Sequence, residues 1–303
     1  MEPRHKKDCF FKYTTIETAK KILSNKTMRY SSSLLFNDPF DHQFDLQADF
    51  DEAAIREACL LELKNIHKKG DASVFSEKSP IGRMFRLFMP HLYKVDLQKF
   101  TSFFVDGWRE HIAKLQQKVS EACEAARSDI KSSRILCVSE TNDNILMWSH
   151  YSHKHTGVVF KLACIKDIDN TLLAARPVSY VKKLPAYASS IDFAKFATGQ
   201  TDRLITAREL VDYICYTKCI DWSYEQEWRV VIFDYDQSGA LYSDLPESPK
   251  VIDAVYLGCN IDENDEMDLV KLIGSDSQLN HVDIYKARKM KNEFALEFDK
   301  LTL

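Results

Sequence analysis

The run EWRVVIF, Glu227 to Phe233, constrains the fold of this chain more than any other stretch. Side chains on a strand alternate between faces, and VVIF is apolar on both, so this strand belongs in the interior of a sheet. The pattern extends it back through WSYEQ to Trp222 and on to Tyr235. Such a strand places Glu225, Glu227 and Arg229 on one face and Tyr224, Gln226 and Trp228 on the other. Two carboxylates so close on a half-buried strand repel, so they must be solvated, paired with cations or used chemically. Two arrangements satisfy this. One is a Glu–Arg–Glu ladder neutralised by Arg229 and a neighbouring lysine; the other is a catalytic carboxylate, Glu227 by preference, with Glu225 as helper.

The second dense stretch is ILCVSETNDNILMWSHYSHKHTGVVFKL, residues 135–162, which reads as strand, polar loop, helix and strand. Three of the nine histidines, His150, His153 and His155, fall within eight residues there. His150 and His153 have the spacing of one helical turn, which permits metal ligation, substrate binding or a purely structural role. Met147 and Trp148 suit a core; Tyr151 should point elsewhere.

Around these stretches the chain alternates elements. FFKYT, a capped helix in TTIETAKKILSN and TMRYSS form an opening strand, helix, strand unit. Asn37-Asp38-Pro39 marks a loop, because proline keeps Asp38 out of the helical region. Residues 50–130 are helical in period and read as an insertion within a single domain spanning 1–303. The residues after 162 give a strand near Val178–Val181, a helix in RLITARELVDYICYTKC, and then strand, helix, strand, strand to the end. The fold class expected is α+β. Of the eight cysteines only Cys215 and Cys219 are close, and no CxxC pair occurs, which suits reduced thiols in a cytoplasmic protein. With 41 basic and 45 acidic side chains, bulk attraction to nucleic acid or anionic lipid is not implied. No apolar run is long enough for a membrane span, and no secretory signal opens the chain. Neither GxxxxGK nor GxGxxG occurs among the eight glycines.

The order F-K-Y-T, R-Y-S-S, F-N-D-P-F-D, V-S-E, M-W-S-H-Y-S-x-x-H-x-G and W-S-Y-E-Q-E-W-R resembles the bacterial family called domain of unknown function 2971. More distantly the arrangement resembles the ADP-ribosyltransferase fold. That likeness implies a mixed or antiparallel split β-sheet core with NAD as substrate. Lys12 and Tyr13 would be its first-strand element, with Arg29 beside them. Ser139 would end the middle strand, Tyr151 or Trp148 would stack on nicotinamide with His150 nearby, and Glu227 with Glu225 would supply the catalytic carboxylates. The chain departs from that pattern in having Lys-Tyr where most such enzymes carry His or Arg, and in lacking an S-T-S triplet.

The function expected from the resemblance is an NAD-consuming transferase or glycohydrolase, a toxin or phage-defence effector acting on nucleic acid or protein, with an antitoxin or other partner on the helical insertion. Two other classes fit the residues. One is a metal-dependent nuclease using Glu225, Glu227, Asp38, Asp41 and a histidine; the other is a non-catalytic sensor or partner-binding module.

Overall fold

The computed structural model describes residues 3–42, 51–92, 94–184, 188–204, 206–233 and 239–302. The expected insertion boundary at Phe50 and the expected strand end at Tyr235 lie outside these residues. The chain divides into two compact units. One comprises Met1–Gln43, Lys131–Lys182 and Cys215–Leu303; the other comprises Phe44–Ile130 and Lys183–Ile214.

The first unit carries the sheet. Its strands are β1 (Cys9–Thr14), β2 (Thr27–Ser31), β3 (Ser133–Ser139), β4 (Val158–Ala163), β5 (Arg176–Pro177), β6 (Ser179–Val181), β7 (Thr217–Cys219), β8 (Glu227–Phe233), β9 (Tyr242–Pro246), β10 (Ile252–Leu257), β11 (Asp283–Lys289) and β12 (Leu296–Lys300). The main order is β12-β11-β10-β4-β1-β3-β2-β9, with β8 on β3 and β5 on β8, while β6 and β7 make a separate parallel pair. Among the described residues only β10 and β11 run parallel within the large sheet, so it is mixed and largely antiparallel.

β3 is the joint of the sheet. Along one edge it pairs with β8 over its whole length, from Ser133 opposite Phe233 to Ser139 opposite Glu227. Along the other it meets β1 at Phe11 opposite Ser139 and β2 at Ser31 opposite Ile135. Between those two points β1 and β2 part, and the Lys12 ammonium donates to the Cys137 carbonyl at 3.0 Å. An unpaired main-chain acceptor is thereby satisfied by a side chain.

Strand alternation sorts the two faces. Phe10, Leu136, Val138, Phe160, Leu162, Trp228 and Val230 enter the main core, which α1 (Ile16–Asn25) and the later helix at Glu263–Ser275 cover with Ala19, Ile22, Leu23, Leu269 and Ile273. The opposite face carries Phe11, Tyr13, Cys137, Ser139, Glu227 and Arg229. The short helix at Ile145–Tyr151 packs there, with Met147 and Trp148 against Tyr13 and Val159.

The second unit is helical: α2 (Glu52–Lys69), α3 (Pro80–Leu92), α4 (Leu97–Asp106) and α5 (Trp108–Ser132), the last running two residues past its boundary. The first unit's helix Ile145–Tyr151 is α6. The second unit resumes with α7 (Ser190–Ala197) and α8 (Ala207–Cys215), and Glu263–Ser275 of the first is α9. The expected insertion over 50–130 falls in the second unit, which also takes in 183–214. α2 packs on α7 and α4.

Three expectations are corrected. The strand read from Trp222 begins only at Glu227; Ile220–Glu225 is a 3-10 helix closed by Gln226 in the left-handed region (φ 44°). Only Trp228 and Arg229 of β8 have strand partners on both sides, and Phe233 is exposed, so the strand's far end is not interior. Cys215 ends α8 while Cys219 lies in β7, so these thiols are not one helical turn apart.

Gly157 precedes β4 where the chain passes the end of β1. A Cβ there would lie 2.2 Å from the Thr14 carbonyl oxygen and 3.0 Å from Ser152 backbone atoms. Gly157→Ala should lower stability by about 1–3 kcal/mol through overpacking. Gly274→Ala, in α9 with open space around the new Cβ, should be neutral or stabilising by up to about 1 kcal/mol. Urea denaturation of both variants checks the contrast.

Candidate functional site

A cavity of about 330 Å³ opens on the α6 face of the sheet, at the parting of β1 and β2. Its walls come from β1 (Phe11, Lys12, Tyr13), β3 (Ile135, Cys137, Val138, Ser139), the loop at Leu35–Asn37 and α6 (Met147, His150, Tyr151). Ser31 of β2 with Asp41, Lys218, Glu225 and Glu227 complete it.

A buried ion cluster forms its floor. The Arg229 guanidinium is fully enclosed. Its NH1 and NH2 donate to the two Asp41 carboxylate oxygens at 3.0 and 2.6 Å, and its Nε and NH2 donate to the two Glu227 oxygens at 2.8 Å each. NH1 also donates to the Cys215 carbonyl at 2.8 Å and lies 2.6 Å from His42 Nε2. The His42 ring, buried beside a guanidinium, is held in its neutral form. Burial, then the Arg229 charge, push its pKa well down accordingly. Its Nδ1 is buried with no hydrogen-bond partner among the described residues.

Lys218 is the second cation. Its ammonium donates to Glu225 at 2.5 Å and Glu227 at 3.0 Å, and lies 3.5 Å from Asp41. Burial alone would lower its pKa, but Glu227, Glu225 and Asp41 reverse this and raise it.

The two glutamates differ in consequence. Burial would raise the Glu227 pKa, but Arg229 and then Lys218 hold it well below the usual carboxylate range. Glu225 has Lys218 on one oxygen and the Tyr151 hydroxyl on the other, the latter donating at 2.6 Å. Here burial dominates, the Glu227 charge adds to it, and the pKa is pushed up to about 7. Burial, then the Glu225 charge, raise the Tyr151 phenol, which keeps it a donor. Two carboxylates placed by one short motif therefore have opposite tendencies, an arrangement that separates a permanently charged group from one able to exchange a proton near neutrality.

The ladder reading and the functional reading of YEQEWR both find a counterpart here, since the expected neighbouring lysine is Lys218 and the acidic face lines a cavity. Glu227, first choice from sequence, has both oxygens engaged by Arg229 and one by Lys218, whereas Glu225 is the titratable member. The turn at Gln226 produces this difference by swinging Glu225 off the strand, so that it reaches Lys218 from another direction.

Other expected site residues divide. Lys12, Tyr13, Ser139, His150 and Tyr151 line the cavity. Burial lowers the Lys12 ammonium from its ordinary value. The Tyr13 hydroxyl donates to the Thr141 carbonyl, and the Ser139 hydroxyl donates to the Glu225 carbonyl at 2.6 Å, so both hydroxyls fasten loops to the sheet. Arg29 and Trp148 are corrected. Arg29 makes two 2.8 Å bonds to Asp244 on β9 and lies 3.8 Å over the Tyr242 ring, away from the cavity lining. Trp148 is fully buried, its Nε1 donates to the Asn142 carbonyl, and it packs against Tyr13 and His155.

The histidine spacing also dissolves as a metal signal. α6 ends at Tyr151, and His153, Lys154 and His155 follow in the left-handed region with φ of 46°, 57° and 66°. Asp38 accepts from the Phe40 amide in a local turn, as its loop reading anticipated, while the cation lodged among Asp41, Glu225 and Glu227 is Lys218. Among the described residues no group of three or more His, Cys, Asp or Glu side chains is placed to hold a metal ion. No helix among them is long and apolar enough to cross a membrane.

Sequence reasoning did not single out His42, and left Lys218 as an unnamed lysine. An acidic cluster that must be neutralised was the only available signal for Lys218; for His42 no local pattern pointed to the site.

Arg229→Met should cost about 3–5 kcal/mol, because Asp41 and Glu227 remain buried without their main cation. The loss should shrink as pH falls. Without the guanidinium those carboxyls have raised pKa values in the folded state, so protonation between pH 8 and pH 5 favours the variant, whereas the native Glu227, held well below the usual carboxylate range, stays ionised across that window. Urea midpoints of both proteins at pH 5 and pH 8 test this; an equal deficit at both pH values would contradict it.

Residues 147–230 match the family described as "Protein of unknown function (DUF2971)". The matched segment runs from α6 into β8 and contains His150, Tyr151, Lys218, Glu225, Glu227 and Arg229, so the family resemblance carried by M-W-S-H-Y and E-Q-E-W-R is supported over the part of the chain that builds much of the cavity. No curated protein and no solved structure matches the chain.

Proposed function

We propose that this protein is an NAD-consuming enzyme of the ADP-ribosyltransferase type, a transferase or an NAD glycohydrolase. One observation carries the reading: Lys12 on β1, Tyr151 on α6 and the Glu225–Glu227 pair line a single cavity where the sheet parts. These are the cation, aromatic and carboxylate that cleavage of a nicotinamide–ribose bond calls for. The volume, near the lower end of the roughly 300–1,000 Å³ usual for ligand sites, suits a nicotinamide ribosyl group.

In the mechanism that follows, the nicotinamide–ribose C–N bond breaks and its electron pair leaves with nicotinamide, generating an oxocarbenium ion on the ribose. A fixed carboxylate nearby stabilises that positive charge without reorganising. Glu225 is the working carboxylate. Its engagement is lighter than that of Glu227, and when ionised it accepts the proton of the attacking water or acceptor hydroxyl. Tyr151 and Lys218 fix its orientation, while Glu227 and Asp41, themselves fixed by Arg229, hold Lys218 in place. Among the described residues Lys12 bonds the Cys137 carbonyl and no carboxylate, so it is the cation assigned to the phosphates, whose charge favours its protonated form. The step requires no metal ion in this scheme. The biological setting that accords with it is a toxin or phage-defence effector whose acceptor is a nucleic acid or a protein.

Purified protein given NAD should release nicotinamide, alone or with a cellular extract as acceptor, and Glu225→Gln should lower kcat/KM by about 100-fold or more. Because Glu225 must be ionised and its pKa lies at about 7, the rate should fall on the acid side with a midpoint near that value. Chromatographic assay of nicotinamide across pH reads both. Absence of release under all these conditions would remove the proposal.

A further inference from the structure

The cavity opens to the surface, and a row of aromatic rings continues from its rim. Tyr151 lines the cavity, and the exposed His150 ring at its rim lies edge-on to Tyr151 at 6.4 Å. His150 is also edge-on to Trp222 at 6.4 Å, and Trp222 is tilted against Tyr224 at 6.0 Å. Trp222 and Tyr224 are only half-buried. They stand on the same 3-10 turn that delivers Glu225, and the Lys218 ammonium lies 5.1 Å from the centre of the indole ring. The carboxylate floor and the aromatic rim are thus parts of one local structure.

Aromatic rings that remain accessible beside a cavity, held by a turn and by a buried cation, provide a stacking surface for a planar base. We infer that Trp222, bordered edge-on by His150, forms a second subsite whose indole stacks the adenine of the same dinucleotide whose nicotinamide half enters the cavity. This rests on the NAD reading above for the identity of the base; the stacking surface itself does not depend on catalysis. It gives His150 a role outside the cavity chemistry, at the entrance.

Calorimetric titration of the full chain with AMP and with nicotinamide mononucleotide separates the two subsites. In the unmodified protein both ligands should bind, and AMP should quench tryptophan fluorescence. Trp222→Ala should weaken AMP by about tenfold or more and leave nicotinamide mononucleotide within about twofold. Trp222→Phe, which keeps a stacking ring, should restore most AMP affinity while abolishing the quench. His150→Ala should weaken AMP in the same direction. Failure of AMP to bind the unmodified protein, or equal effects of Trp222→Ala on both ligands, overturns the inference. An equal affinity of the Trp222→Ala protein and the unmodified protein for AMP does so as well. Nicotinamide release without Trp222-dependent AMP binding leaves the catalytic proposal standing and removes this one; Trp222-dependent AMP binding without nicotinamide release does the reverse.

Discussion

The Arg229 guanidinium is the interaction on which the first unit depends. A fully buried cation is tolerable only where its five donors meet acceptors, and here Asp41, Glu227 and the Cys215 carbonyl supply them. Those acceptors come from the loop after β2, from β8 itself and from the end of α8, so one side chain ties its own strand and the nearby α8 end to a loop 188 residues away. A lysine in its place could not present two parallel pairs of N–H donors to two carboxylates. The pairing also fixes Glu227 as a permanent anion. That anion helps to hold Lys218, which in turn orders Glu225.

The strands and their alternation were legible because apolar periodicity is local. FFKYT, ILCVS and VVFKL all became strands, and the face assignments of Glu227 and Arg229 followed from period two. The start of β8 was not legible. WSYEQ has strand composition, yet tertiary demands override it: Asn144 donates to the Tyr224 carbonyl and Ser139 to the Glu225 carbonyl, and together these bonds hold that segment as a turn. β9 was missed because its exposed alternating residues present no apolar face strong enough to announce a strand.

Much of the site was legible in composition but not in role. Tyr151, Lys12 and the glutamates were found from motif order, and they share a cavity. Trp148 and Arg29 carried the right chemistry in the wrong surroundings: one is drawn into the core behind α6, and the other is consumed by a strand-to-strand ion pair. The helical spacing of α6 by itself put Met147 and Trp148 in a core and Tyr151 elsewhere, and only the resemblance offered Trp148 as a stacking ring. His42 illustrates the converse, since its contact with Arg229 joins positions separated by 187 residues.

The parting of β1 and β2 has one more consequence. Along that gap the wall facing a ligand includes the backbone of β3, with the Cys137 carbonyl reached by Lys12. Main-chain acceptors are the same whatever side chain the residue carries. A guest with suitable donors could displace the lysine and complete the ladder as a missing strand would, and that part of recognition would survive wide changes in the surrounding sequence. The gap therefore presents a hydrogen-bonding pattern set by topology, one that comparison of side chains alone would overlook.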